Sequence, residues 1–126
     1  MPKTTVLFFR EDDGSVPVDD WLDELQQKAR QSVVVKIGLL GQFGHELRRP
    51  IADTLRDGIY EIRAKHGKLN LRILYFFHGR EAIILAHGLT KQQAEVPNRD
   101  IDLAVARKAK FEADPKTHSF PGGGQR

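Results

Sequence analysis

Between Gly58 and Leu89 the chain sets three strand-like runs, GIYEIRAK, LNLRILYFF and EAIILAHGL, around connections no longer than HG and HGR. Each run is rich in β-branched and aromatic residues, and connections that short join antiparallel neighbours rather than parallel ones. A three-stranded antiparallel meander is therefore the centre of any fold open to this sequence. Upstream, Thr5–Arg10 (TVLFFR) reads as a further strand, followed by the turn residues EDDGS. Val18, Trp21, Leu22, Leu25 and Ala29 recur at three- and four-residue steps. That spacing predicts a helix over 18–29, with Pro17 at its first turn and Asp19 and Asp20 at the positive end of its dipole. Trp21 falls on the apolar stripe and is expected in the core. A second helix is expected from Ser32 to Gln42, ended with the help of Gly41 and Gly44. After the meander, helical spacing returns through Ile101, Ala104, Val105 and Phe111, with Asn98 as a cap and Pro115 as a stop.

The expected order is β-α-α-β-β-β-α, an α+β domain over residues 1–115 with its helices against one sheet face. The glycine- and proline-rich end, THSFPGGGQR, predicts a flexible tail over 116–126. Composition agrees with one globular domain: 126 residues, 40% hydrophobic and 29% charged, can bury one core and hardly two. No run approaches the ~20 apolar residues of a membrane span. The start, MPKTTVLFF, lacks a charged leader followed by a cleavage site, so a cytoplasmic protein with no membrane partner is expected. The absence of cysteine excludes disulfides, thiolate nucleophiles and cysteine-based zinc sites. None of the five histidines stands at HxH or HxxxH spacing, so no metal and no cofactor are expected. Residues 1–30 carry seven acidic residues against four basic ones, which leaves the positive charge of the chain to residues 31–126. Such a region suits a nucleic acid or an acidic protein.

Register arithmetic on the meander sharpens this. A His66-Gly67 turn pairs Lys65 with Lys68, Arg63 with Asn70 and Glu61 with Arg72. A Gly79-Arg80 turn pairs His78 with Glu81 and sets Arg72 against His87. Because side chains alternate between faces, Glu61, Arg63, Asn70, Arg72 and His87 then share one exposed face, with Lys91 at the strand end. Tyr60, Ile62, Leu71, Ile73, Tyr75, Ile84 and Ala86 fall on the core face. The plainest reading of Glu61 and Arg72 is a surface ion pair worth at most ~1 kcal/mol. Two arginines beside a histidine also form a set that binds phosphate oxygens and moves protons near neutral pH.

The segments LRDGIYEIR, LRILYFF and HGLTK, followed by a final helix after Val96-Pro97, resemble in that order the RelE/ParE superfamily of toxin–antitoxin toxins, in particular its HigB-like, phage-associated branch. The resemblance implies a RelE-like fold and a ribosome-dependent mRNA endonuclease that needs no metal. Its partners would be mRNA on the ribosome and a cognate helix-turn-helix antitoxin, with DNA reached only indirectly through that antitoxin. By motif position, Arg72 matches the family's phosphate-binding arginine, Arg63 the basic residue closing the preceding strand, and Lys91 the basic residue after the last strand. Relatives often carry two basic residues where this chain has Lys91-Gln92, and the C-terminal tyrosine used as a base by some members has no equivalent.

In the implied reaction Arg72 and Arg63 hold the phosphate, Lys91 or His87 donates to the leaving oxygen, and Glu61 or His87 accepts the 2′-proton. Lys65, Lys68 and Asn70 extend the RNA contact. With Arg72 facing outward, its replacement by alanine is expected to change stability by less than about 1 kcal/mol. Two other readings share the fold: a ParE-like toxin that binds DNA gyrase, and an inactive module that only binds its antitoxin.

Overall fold

The computed structural model describes residues 4–91 and 95–121. Its elements are β1 (Thr5–Phe9), α1 (Pro17–Glu24), α2 (Gln27–Phe43), β2 (Ala52–Thr54), β3 (Tyr60–His66), β4 (Leu69–His78), β5 (Ala82–Lys91), α3 (Asn98–Ala113) and β6 (Ser119–Pro121), with a 3₁₀ turn at Gly44–Glu46. The described strands form one sheet in the order β2-β3-β4-β5-β1-β6. β1 runs parallel to β5, and the other neighbours are antiparallel. This is a small mixed α+β domain of the expected class. No described helix is long and apolar enough to cross a membrane.

The first helix is shorter than its apolar stripe predicts, and α2 begins earlier. Leu25 and Gln26 are both extended, which ends α1. The Arg30 guanidinium reaches back from α2 to the carbonyls of Leu22 and Leu25, at 2.9 and 3.2 Å. It thereby satisfies acceptors that a continuous helix would have used itself. Trp21 packs flat over Gly88, where a Cβ would overlap its ring, and donates from Nε1 to Thr90 Oγ1 at 3.1 Å.

Helices cover both faces of the sheet, not one. α1 and α2 bury Val18, Leu22, Val33, Ile37 and Leu40 against Ile62, Leu71, Ile73, Tyr75, Ile83 and Leu85. On the other face α3 buries Ile101, Ala104 and Phe111 against Phe9, Leu74, Phe76, Ile84 and Ala86. Ile84 and Ala86 therefore lie under α3 rather than with Tyr60 and Ile62. The tail differs too: residues 116–121 are not a free end, since Phe8 pairs with Phe120 and Phe9 with Ser119 across β1 and β6, and His118 is buried. The remainder of the expected tail, 122–126, and Gln92 lie outside the described residues.

Candidate nucleic-acid interface

The β3–β4 turn falls at Gly67-Lys68, with Gly67 in the left-handed region at φ 60°, so His66 pairs with Leu69 and Lys65 with Asn70. This is two residues away from the register expected from the sequence. A two-residue slip preserves side-chain parity, so the polar and apolar faces of β3 and β4 remain as expected. Between β4 and β5 the register begins one residue off, with His78 opposite Ala82, and shifts at a bulge between Leu74 and Tyr75 that leaves Ala86 without a partner. The extra residue restores parity for the rest of β5. Arg107 of α3 catches the bulge by donating to the Ala86 carbonyl at 2.8 Å.

Three rows of side chains result on the α3 face: Lys65, Asn70 and Lys91; then Arg63, Arg72 and Leu89; then Glu61, Leu74 and His87. Every candidate site residue except Lys68, which sits in the turn, is on this strip. Lys65 and Lys68 are exposed at the hairpin tip, and Asn70 and Lys91 are half-buried. Lys91 Nζ is shielded from solvent, with no hydrogen-bond partner among the described residues.

The middle of the strip is not a solvated surface. Arg72 and Glu61 are diagonal rather than opposite, and both are buried, their side chains 8% and 7% exposed. Arg72 Nε lies 2.9 Å from Glu61 Oε1, a close ion pair whose direction is not that of a well-aligned hydrogen bond. Glu61 Oε2 is 3.4 Å from an Arg63 terminal nitrogen, which is also 3.5 Å from Asp53 of β2. Asp53 in turn holds Arg49 at 2.7 Å. Burial pulls the Arg72 guanidinium below its ordinary value against the pull of Glu61, and Arg63 adds to the lowering. The guanidinium nevertheless stays charged at neutral pH. The outward-facing Arg72 expected from the sequence is thus corrected. Its row is covered because α3, unanticipated on this face, brings Leu89 and Leu74 into a second core.

His87 stands apart from the arginines, opposite Leu74, and α3 occupies both of its ring nitrogens. Nε2 is 2.7 Å from Asp100 Oδ1, and Nδ1 is 3.4 Å from Arg107. Burial lowers its proton affinity, Asp100 opposes that, and Arg107 reinforces it. Arg107 continues the network to Glu11 at 3.2 Å. The sequence reading missed Asp100, Arg107 and Asp53. Asp100 and Arg107 are seven residues apart, one face of the predicted helix, and that spacing beside an isolated strand histidine was the available signal. Among the described residues no group of three or more histidines and carboxylates gathers as a metal site would.

A family model described as "Phage derived protein Gp49-like (DUF891)" matches residues 20–109. The chain belongs to this Gp49-like family. No curated protein matches it. The matched span of the Gp49-like chain runs from α1 into α3 and so contains every residue of the three rows.

Proposed function

We propose that this Gp49-like chain is the toxin of a type II toxin–antitoxin pair, a RelE/ParE-superfamily protein of the HigB-like branch. In this reading it is a ribosome-dependent mRNA endonuclease working in the cytoplasm. Gp49-like proteins are commonly associated with toxin–antitoxin modules, which supports the wider reading. The observation that carries the narrower one is the strip of Lys65, Asn70, Lys91 and Arg63, with Lys68 in the turn at its tip, over the buried Arg72–Glu61 pair.

A phosphodiester laid along the strip meets lysines at the hairpin tip and guanidinium groups at its middle. Arg63, with a third of its side chain exposed, grips the phosphate oxygens, and Arg72 adds positive charge from beneath. The 2′-oxygen bonds to phosphorus as the bond from phosphorus to the 5′-oxygen breaks. The 2′-hydroxyl loses its proton to a base, and the leaving oxygen gains one, which yields a 2′,3′-cyclic phosphate and a 5′-hydroxyl. Of the two donors, Lys91 stands in the row next to that of Arg63 and Arg72. Of the two acceptors, Glu61 sits in the arginine cluster, whereas His87 is engaged by α3. Attack by the 2′-hydroxyl selects RNA over DNA.

The same basic strip is the surface for a helix-turn-helix antitoxin from the neighbouring gene, which would cover it with an acidic segment and alone contact DNA. The test is induction of the chain with primer extension on translated message, alongside co-purification with the neighbouring gene's product. Discrete cleavages in translated RNA are expected before any change in supercoiling. Intact message with early loss of supercoiling would instead place the chain with gyrase-binding toxins. A non-catalytic binding module is the second reading, favoured by the burial of Arg72 against Glu61.

A further inference from the structure

On the opposite face of the sheet, where α2 stops short of the outer ends of β3 and β4, a cleft of about 750 Å³ opens beside the 3₁₀ turn and β2. Its floor is aromatic: Tyr60 stacks on Tyr75 at 5.6 Å between ring centres, and Phe77 meets Tyr60 edge-on at 5.0 Å. His45, exposed on the 3₁₀ turn, lies flat on Phe77 at 3.7 Å. Arg48 and Arg49 stand in the wall. Arg48 spends its donors on the carbonyls of His45 and Leu47, with no carboxylate opposite it among the described residues. The acid in the wall, Asp53, is neutralised from both sides by Arg49 and Arg63.

Stacked rings beside uncompensated guanidinium charge match a nucleotide, with an aromatic base and an anionic phosphate. The volume falls in the range of ordinary small-ligand sites. Position adds the rest of the argument. β2 is an edge strand, and Asp53 on it touches Arg49 on the cleft side and Arg63 on the strip side. A single strand leaving Arg63 can therefore round the β2 edge and enter the cleft without crossing a helix.

We propose that this cleft holds one nucleotide of the RNA strand whose scissile phosphate lies on the strip, with its base against Tyr60 and the His45 ring that caps Phe77 and its phosphate at Arg48. The inference rests on the RNA-cleaving reading but is tested without cleavage. Tyr60 and Tyr75 are the only tyrosines of the chain, so ¹³C-labelled tyrosine rings report on this cleft alone. The full chain is titrated with inorganic phosphate, with each mononucleotide, and with single-stranded tetranucleotides carrying 2′-O-methyl groups that block attack.

The tetranucleotide is expected to shift both ring signals and to bind roughly 10-fold tighter than any mononucleotide, less so as salt rises. His45→Ala and Arg48→Gln, both exposed positions, should each weaken it roughly 10-fold. Unmoved tyrosine signals overturn the proposal, as does a mononucleotide or phosphate alone that binds as tightly as the tetranucleotide. So does a result in which these two variants weaken antitoxin binding and leave the tetranucleotide unaffected, because the cleft is then a protein-docking site. The two readings fail separately. Tyrosine shifts without mRNA cleavage retain the cleft and remove the nuclease, and cleavage without shifts does the reverse.

Discussion

Arg63 and Arg72 face each other directly across β3 and β4, and Glu61 lies within ion-pair distance of both. Like charges in opposed positions of a sheet are destabilising, and burial makes them more so. A carboxylate placed diagonally, one oxygen to each guanidinium, offsets the repulsion and lets two cations occupy one row. The arrangement concentrates positive charge in one row of the strip while keeping the fold intact.

Removing either partner of the buried contact leaves the other uncompensated. Arg72→Ala should therefore lower the unfolding free energy by about 3 kcal/mol, as should Glu61→Leu through the exposed repulsion. The double replacement Glu61→Leu/Arg72→Met, apolar and of similar volume, should recover most of that loss. Denaturant titration of the three variants checks this. The double variant also separates folding from chemistry: it should be folded and still cleave at least roughly 100-fold more slowly, because it lacks both the phosphate-stabilising Arg72 and the acceptor Glu61. A folded double variant with the cleavage rate of the parent chain would remove both Arg72 and Glu61 from the reaction.

How much of this was legible in the sequence depends on parity. Glu61, Arg63, Asn70 and Arg72 were placed on one face because alternation survives a two-residue slip at the Gly67-Lys68 turn. For β5 the assumed turn was off by one, an error that exchanges faces. It misplaced Ile84 and Ala86, while His87 reached the expected face only because of the bulge at Ala86. Bulges have no strong sequence signature, and this one depends on Arg107, which is 21 residues away. The covering of Arg72 was illegible for a similar reason. Nothing local to LRILYFF says which face of the sheet the last helix will choose. Glu61–Arg72 therefore read as a surface pair when it is a buried one.

Lys65 and Lys68 are exposed at the tip of the strip, so their replacement should be silent in stability and visible in binding. For a non-cleavable single-stranded RNA, log K against log salt should be linear, and Lys68→Ala should reduce its slope by about 0.7. Lys65→Ala/Lys68→Ala should reduce it by about twice that. Melting temperatures should change little, because exposed positions of this kind stay within about 0.5 kcal/mol. An unchanged slope would take the hairpin tip out of the RNA path.

His87 supplies a pH dependence whose sign is fixed by its surroundings. Its folded proton affinity is depressed, chiefly by burial, so the unfolded chain takes up the proton first as pH falls. The stability it contributes is fully present above the ordinary histidine value of about 6.5 and is lost as pH falls from there through the lower folded value. The side chain holds α3 through Asp100, so the loss should register at that helix. Melting temperature measured from pH 7.5 to 5 should fall more steeply for the parent chain than for His87→Gln, which keeps a donor toward Asp100 but does not titrate. Parallel curves for the two proteins would show that His87 contributes no such dependence.

The end of the chain carries the last expectation. β6 supplies the outer neighbour of β1, with Phe120 stacked on Phe8 at 6.3 Å and the His118 ring on Phe9 at 5.3 Å. His118 is buried and exchanges backbone and ring contacts with Arg10: its carbonyl accepts from the Arg10 amide at 2.9 Å, and its Nδ1 lies 2.8 Å from the Arg10 carbonyl. Ending the chain after Pro115 would remove these contacts together and leave β1 as an unprotected sheet edge. Partial burial of two rings and several hydrogen bonds amount to about 3 kcal/mol. For a domain of this size that is a fall of roughly 10–20 °C in melting temperature, with a greater tendency to aggregate through β1. A chain ending after Pro121 should melt with the full-length protein. If the chain ending after Pro115 also did so, β6 would be an accessory of the fold rather than part of its sheet.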